Sequence, residues 1–127
     1  MSVLVIDDSR AVRTIIRAIL QEMNLEVVEA ANGQEGIDRL RQFLDIDLVL
    51  VDWNMPVMDG LEFIVAVRAD KANDLVRIVM VTTETESSQI NRALAAGANE
   101  YAGLMPQELR SRVFGKIPMV NLRERQV

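Results

Sequence analysis

Two acids in a row, Asp7 and Asp8, end the apolar run Ser2-Val3-Leu4-Val5-Ile6, and a third, Asp52, ends the run Asp47-Leu48-Val49-Leu50-Val51. Acids at those positions can supply an oxygen nucleophile or the ligands of a hard cation. Neighbouring strands sit roughly 4.8 Å apart, so carboxylates ending two adjacent strands crowd together, and at least one resists ionising. A cation resolves this. Magnesium is the natural candidate, because it takes oxygen ligands, keeps several waters and is commonly held by one or two carboxylates plus a phosphate. Asn54 can add its backbone carbonyl from a turn whose geometry Pro56 helps to fix. Taken singly, the neighbouring residues have ordinary readings. Asp8 or Ser9 suits the N-cap of a first helix and Asp59 that of a third, Thr82 and Thr83 suit a strand end or a cap, and Tyr101 suits a core. An apolar strand that ends on Asp52, facing two more acids, is the unusual feature.

Other chemistries are excluded by residue type. The chain has no His and no Cys, which removes Ser-His-Asp catalysis, imidazole and thiolate metal ligands, and any phosphohistidine of its own. Zero Cys also fits a reducing compartment. With 14 Lys+Arg against 19 Asp+Glu the net charge is -5, and no basic stripe suits a phosphate backbone, so nucleic acid is a poor partner. No apolar run approaches the roughly 20 residues that span a bilayer, and the N-terminus lacks the flank and apolar stretch of a secretion signal. A cytoplasmic protein without membrane contact is expected.

Short β-branched runs alternate with longer segments of helical period along the chain. After Ser2–Ile6, the residues Val12, Ile15, Ile16, Ile19, Leu20 and Met23 mark one helix face. A second strand is expected over Leu25–Val28, and Ile37, Leu40 and Leu44 line the next helix. The run 47–51 is apolar on both faces, as a central parallel strand should be. Leu61, Ile64, Val65 and Arg68 mark a third helix after Gly60, and 76–81 a fourth strand. Ile90, Ala93 and Leu94 give a fourth helix closed by a left-handed cap at Gly97; a short fifth strand surrounds Tyr101, and a last helix starts near Gln107. Residues 1–127, half of them apolar, suit one domain. Five strands alternating with five helices predict an α/β fold, a parallel sheet with helices on both faces. In such sheets the functional crevice lies at the carboxyl ends of the strands, where Asp7, Asp8, Asp52 and Thr82-Thr83 stand.

These residues carry a resemblance. Val5-Ile6-Asp7-Asp8-Ser9, Asp52-Trp53-Asn54-Met55-Pro56 with Met58-Asp59-Gly60, Val81-Thr82-Thr83 and Gly97-Ala98-Asn99-Glu100-Tyr101 resemble the receiver domains of two-component response regulators, of the CheY-like single-domain chemotaxis type. The likeness spans roughly residues 2 to 101. It implies a doubly wound, flavodoxin-like sheet of order 2-1-3-4-5. It also implies phosphoryl transfer from a histidine kinase or phosphotransfer protein to Asp52, with magnesium on Asp7 and Asp8, Thr82 bonding a phosphoryl oxygen and Tyr101 changing rotamer. Phosphoryl transfer asks for a placed nucleophile and neutralised oxygens more than for covalent work, so the protein is expected to be no enzyme beyond its own phosphorylation and dephosphorylation. With nearly all of the chain used by the receiver, output is expected through docking on a downstream target protein.

One departure stands out. The family pattern places a Lys before a Pro shortly after the aromatic of strand five, whereas here Tyr101-Ala102-Gly103-Leu104-Met105-Pro106 puts Met105 there and adds a residue. Later cations are Arg110, Arg112 and Lys116, while Gly115 and Pro118 interrupt the last helix. The segment from about residue 102 is therefore atypical, and a pseudo-receiver that binds partners without productive phosphorylation is the alternative. A flavodoxin would need a Ser/Thr/Gly-rich phosphate loop after strand one, where this chain has two acids. A phosphatase of the haloacid dehalogenase type would carry Asp-x-Asp there.

Overall fold

The computed structural model describes residues 2–81, 87–103 and 106–114. Five parallel strands, β1 (Ser2–Ile6), β2 (Glu26–Ala30), β3 (Ile46–Val51), β4 (Arg77–Val81) and β5 (Glu100–Ala102), form one sheet in the order 2-1-3-4-5. The helices are α1 (Arg10–Glu22), α2 (Gly33–Gln42), α3 (Gly60–Ala69), α4 (Ser87–Ala96) and α5 (Pro106–Phe114), with one 3-10 turn at Lys71–Asn73. The expected doubly wound α/β architecture is the one found.

Alternation along β1 divides the core in two. Val3 and Val5 point to the face covered by Ile16, Ile19 and Leu20 of α1 and Leu109 and Val113 of α5. Leu4 and Ile6 point the other way, to Phe63, Ile64 and Val67 of α3 and Ala93 of α4, with Ile37 and Leu40 of α2 packed at the margin. Every residue of β1 is buried, as a central strand covered on both faces requires.

The helix starts follow local chemistry. Ser9, rather than Asp8, caps α1, its hydroxyl accepting from the Val12 N–H at 3.2 Å. Asp59 and Glu62 form a reciprocal capping box at α3, and Pro106 opens α5, one residue before the expected start near Gln107. Gly97 ends α4 with φ +120°, a positive-φ stop that an L side chain rarely adopts.

Several strand bounds and side-chain exposures differ from expectation. β2 runs Glu26–Ala30, beginning after the buried Leu25. β4 begins at Arg77 and β3 at Ile46, with Asp47 exposed on a strand expected to be apolar on both faces. Leu44 lies beyond the end of α2 and is 93% exposed. Ile15, Val65 and Leu94, read as marking the apolar faces of their helices, are exposed, because each lies at the margin of an apolar stripe wider than the face its helix buries. Gly115, Lys116 and Pro118 lie outside the described residues.

Candidate phosphoacceptor and metal site

Register brings the acids together. Ile6 pairs with Val51 across β1 and β3, so the next residue on each strand, Asp7 and Asp52, emerges at the same carboxyl edge. The Asp52 N–H donates to the Ile6 carbonyl at 3.0 Å and the Asp7 N–H to the Ala30 carbonyl at 3.1 Å, which extends the ladder to the point where both side chains leave it. Asp8 follows on the turn into α1. One carboxylate oxygen from each of Asp7, Asp8 and Asp52 can be chosen so that all lie within 4.8 Å of one another, although Asp52 stands more than 40 residues along the chain.

Their surroundings differ by depth: Asp7 is buried, Asp52 half-buried and Asp8 exposed. Burial pushes the Asp7 carboxyl above its usual range; the Ser9 N–H bond opposes this, the Asp8 charge adds to it and the Arg13 charge opposes it. The Ser9 N–H donates to Asp7 Oδ1 at 2.8 Å, and Arg13 donates to the Asp7 carbonyl oxygen. The Trp53 N–H donates to Asp52 Oδ1 at 2.8 Å, fixing the plane of that carboxylate. Hard oxygen donors at three depths, the outermost open to water, fit a divalent cation that keeps part of its hydration shell.

The loop after Asp52 is held tightly. The Gly60 N–H donates to the Trp53 carbonyl at 2.9 Å, and the Gly33 N–H to the Met58 carbonyl at 3.0 Å. A Cβ on Gly60 would overlap the Asp52 carbonyl, so α3 approaches the end of β3 as closely as only glycine allows. Val57 sits at φ 69° between Pro56 and Met58, whose N–H donates back to the Pro56 carbonyl at 2.7 Å. That is a strained γ-turn for a β-branched residue. Asn54 is exposed in this loop. Tyr101 lies on β5, half-buried and paired in register with Met80, and β4 separates it from Asp52. Thr82 and Thr83, which follow β4, and Met105 lie outside the described residues.

Two contacts escape a reading of residue types. Arg13 spans from the Asp7 carbonyl to Glu29 on β2 at 3.0 Å, and Arg92 of α4 lies over the ring of the buried Trp53, 5.7 Å from its centroid. Arg13 falls on the α1 turn that follows Ser9, which is a signal of position; nothing in the sequence pairs Arg92 with Trp53.

Comparison with known proteins agrees with this geometry. The family model of the response regulator receiver domain matches residues 3–103. A chemotaxis protein CheY homolog of Campylobacter jejuni is 40% identical over 116 residues, 89% of each chain. Chemotaxis protein CheY1 of Helicobacter pylori is 38% identical, covering 89% of this chain and 94% of that one. Among solved structures, chemotaxis protein CheY4 of Vibrio cholerae superposes with a TM-score of 0.85 at 32% identity, over 91% of this chain and 98% of that one.

Proposed function

Because the chain belongs to the response regulator receiver family of two-component signalling, we propose that Asp52 is the phosphoacceptor of a cytoplasmic signalling switch. The observation that carries this reading is the convergence of Asp7, Asp8 and Asp52 within 4.8 Å at the carboxyl ends of β1 and β3. An oxygen of Asp52 bonds to the phosphorus of a donor phosphohistidine while the phosphorus–nitrogen bond breaks and the imidazole leaves with the electron pair. The donor is a phosphohistidine of a histidine kinase or phosphotransfer protein, for these 127 residues include no His of their own. Asp7, Asp8, Asp52 and the Asn54 carbonyl would hold magnesium, which would supply positive charge against the oxygens of the transferring group. The Trp53 N–H keeps the acceptor carboxylate oriented. Thr82 donates to a phosphoryl oxygen, Tyr101 responds by changing rotamer, and the altered surface docks on a downstream protein.

The test is intact mass after incubation with acetyl phosphate and magnesium. One phosphoryl adduct is expected, absent in Asp52→Ala; an adduct that persists in that variant places the site elsewhere. A second reading, a pseudo-receiver, is favoured by one observation. Among the described residues the one Lys is Lys71, on the 3-10 turn preceding β4, at the opposite edge of the sheet from the acids. If the missing cation limits the switch, Met105→Lys accelerates phosphorylation and Lys116→Ala changes nothing. Loss of phosphorylation in Lys116→Ala would make that residue the substitute. A wild type that takes no adduct while folding and binding magnesium normally would establish the pseudo-receiver.

A further inference from the structure

Among the described residues Phe43 and Leu44 line a recess of about 420 Å³ between α2 and α3, and Leu44 is 93% exposed. Two of the seven exposed large apolar residues among those described thus line this recess, beside Ile37, Leu40 and Val76, an apolar surface of the kind that marks an interaction site. The acids of the phosphoacceptor site take no part in it.

We propose that this groove is where two copies of the chain pair. The argument is self-complementarity. Helices α2 and α3 both run from the carboxyl edge of the parallel sheet back to its amino edge, so Arg41 near the end of α2 and Asp70 at the end of α3 stand at the same end of the groove, on opposite walls. Arg41 is exposed and makes no ion pair among the described residues. A two-fold axis along the groove lays α2 of one copy over α3 of the other and brings each Arg41 to the partner copy's Asp70, the contact occurring twice as a closed symmetric interface requires. The same rotation carries the projecting Phe43 and Leu44 over Ala72 and Val76 of the second copy. One chain therefore provides the recess, the apolar projection beside it and charges of opposite sign at matching height.

Sedimentation velocity over a concentration series, without phosphodonor or magnesium, tests this and is independent of the phosphorylation reading. A reversible monomer–dimer equilibrium is expected. Leu44→Glu, at a site too exposed to disturb the fold, shifts it to monomer with an unchanged circular dichroism spectrum. Arg41→Asp and Asp70→Arg, each placing like charges together, weaken self-association by about tenfold or more. Mixing these two variants restores dimers, because both cross-pairs are then opposite in sign. A wild type that stays monomeric up to millimolar concentration overturns the proposal and leaves the groove to a different protein. A dimer indifferent to Leu44→Glu and to both charge reversals, or a mixture that restores nothing, overturns it equally.

Discussion

Asp7 bears the cost of the site. Its folded-state pKa is raised, chiefly by burial, so the folded chain holds that proton more tightly than the unfolded chain does. Ionised Asp7 therefore subtracts from stability at neutral pH, and stability from this group is gained as pH falls through its folded value. Asp7→Asn is expected to raise Tm in the absence of divalent ions, and the gain in Tm expected of the wild type on adding magnesium should be absent in this variant. Calorimetry with and without the ion checks both, and a lower Tm without the ion would count against the argument. Glu29 has the opposite sign. Burial would raise its pKa, but the hydrogen bonds from Arg17 and Arg13 prevail and it is lowered from 4.5. Its contribution is present above that unfolded value and is lost as pH falls through the lower folded one. Glu29→Gln should then be less stable than the wild type at pH 7, with the gap closing as pH drops below 4.5. The acids were legible in the sequence because a parallel register turns two strand ends into neighbours whatever their distance along the chain. The partners of Arg13 and Arg92 were not, since long side chains reach across elements whose packing no local pattern encodes.

At the scale of elements, Arg68, in the last turn of α3, ties that helix to two other segments. Its guanidinium donates to the carbonyls of Gly97, Asn73 and Val76 at 2.9, 2.9 and 2.7 Å and to the Asn99 side chain at 3.0 Å. Asn99 in turn accepts from the Ile78 N–H at 2.7 Å. One side chain thus joins α3, the lead into β4 and the turn after α4. Arg68→Ala strands several part-buried acceptors and should cost about 2–4 kcal/mol, read as a lower urea midpoint with an unchanged slope. The strained turn makes the opposite forecast: Val57→Asn, which tolerates positive φ, should stabilise by about 1 kcal/mol in the same measurement. Strand identities were legible because β-branched runs bounded by turn residues have few alternatives, and the edges moved by only one or two residues. Periodicity misled at Ile15, Leu44, Val65 and Leu94, where it reports residue type but not how wide a face the neighbouring helices cover.

For the molecule as a whole, the strand order has a consequence in time. β1 is central and pairs with both β2 and β3, so the first strand of this sheet to be synthesised waits for the third before its second edge is covered. Once Val51 has emerged, β1, β2, β3 and the two helices between them form a complete parallel unit, while β4 and β5 only extend one edge. Closing that unit costs loop entropy before its contacts reward it. Folding should therefore nucleate in the first half of the chain. Val49→Ala, in the middle of β3, is expected to slow refolding, whereas truncating Tyr101 on the short edge strand should mainly speed unfolding. Stopped-flow chevrons distinguish the two limbs. The acids that meet at the carboxyl edge of β1 and β3 then belong to the part of the molecule that assembles first, so the pocket forms before the strand that bears Tyr101 is in place.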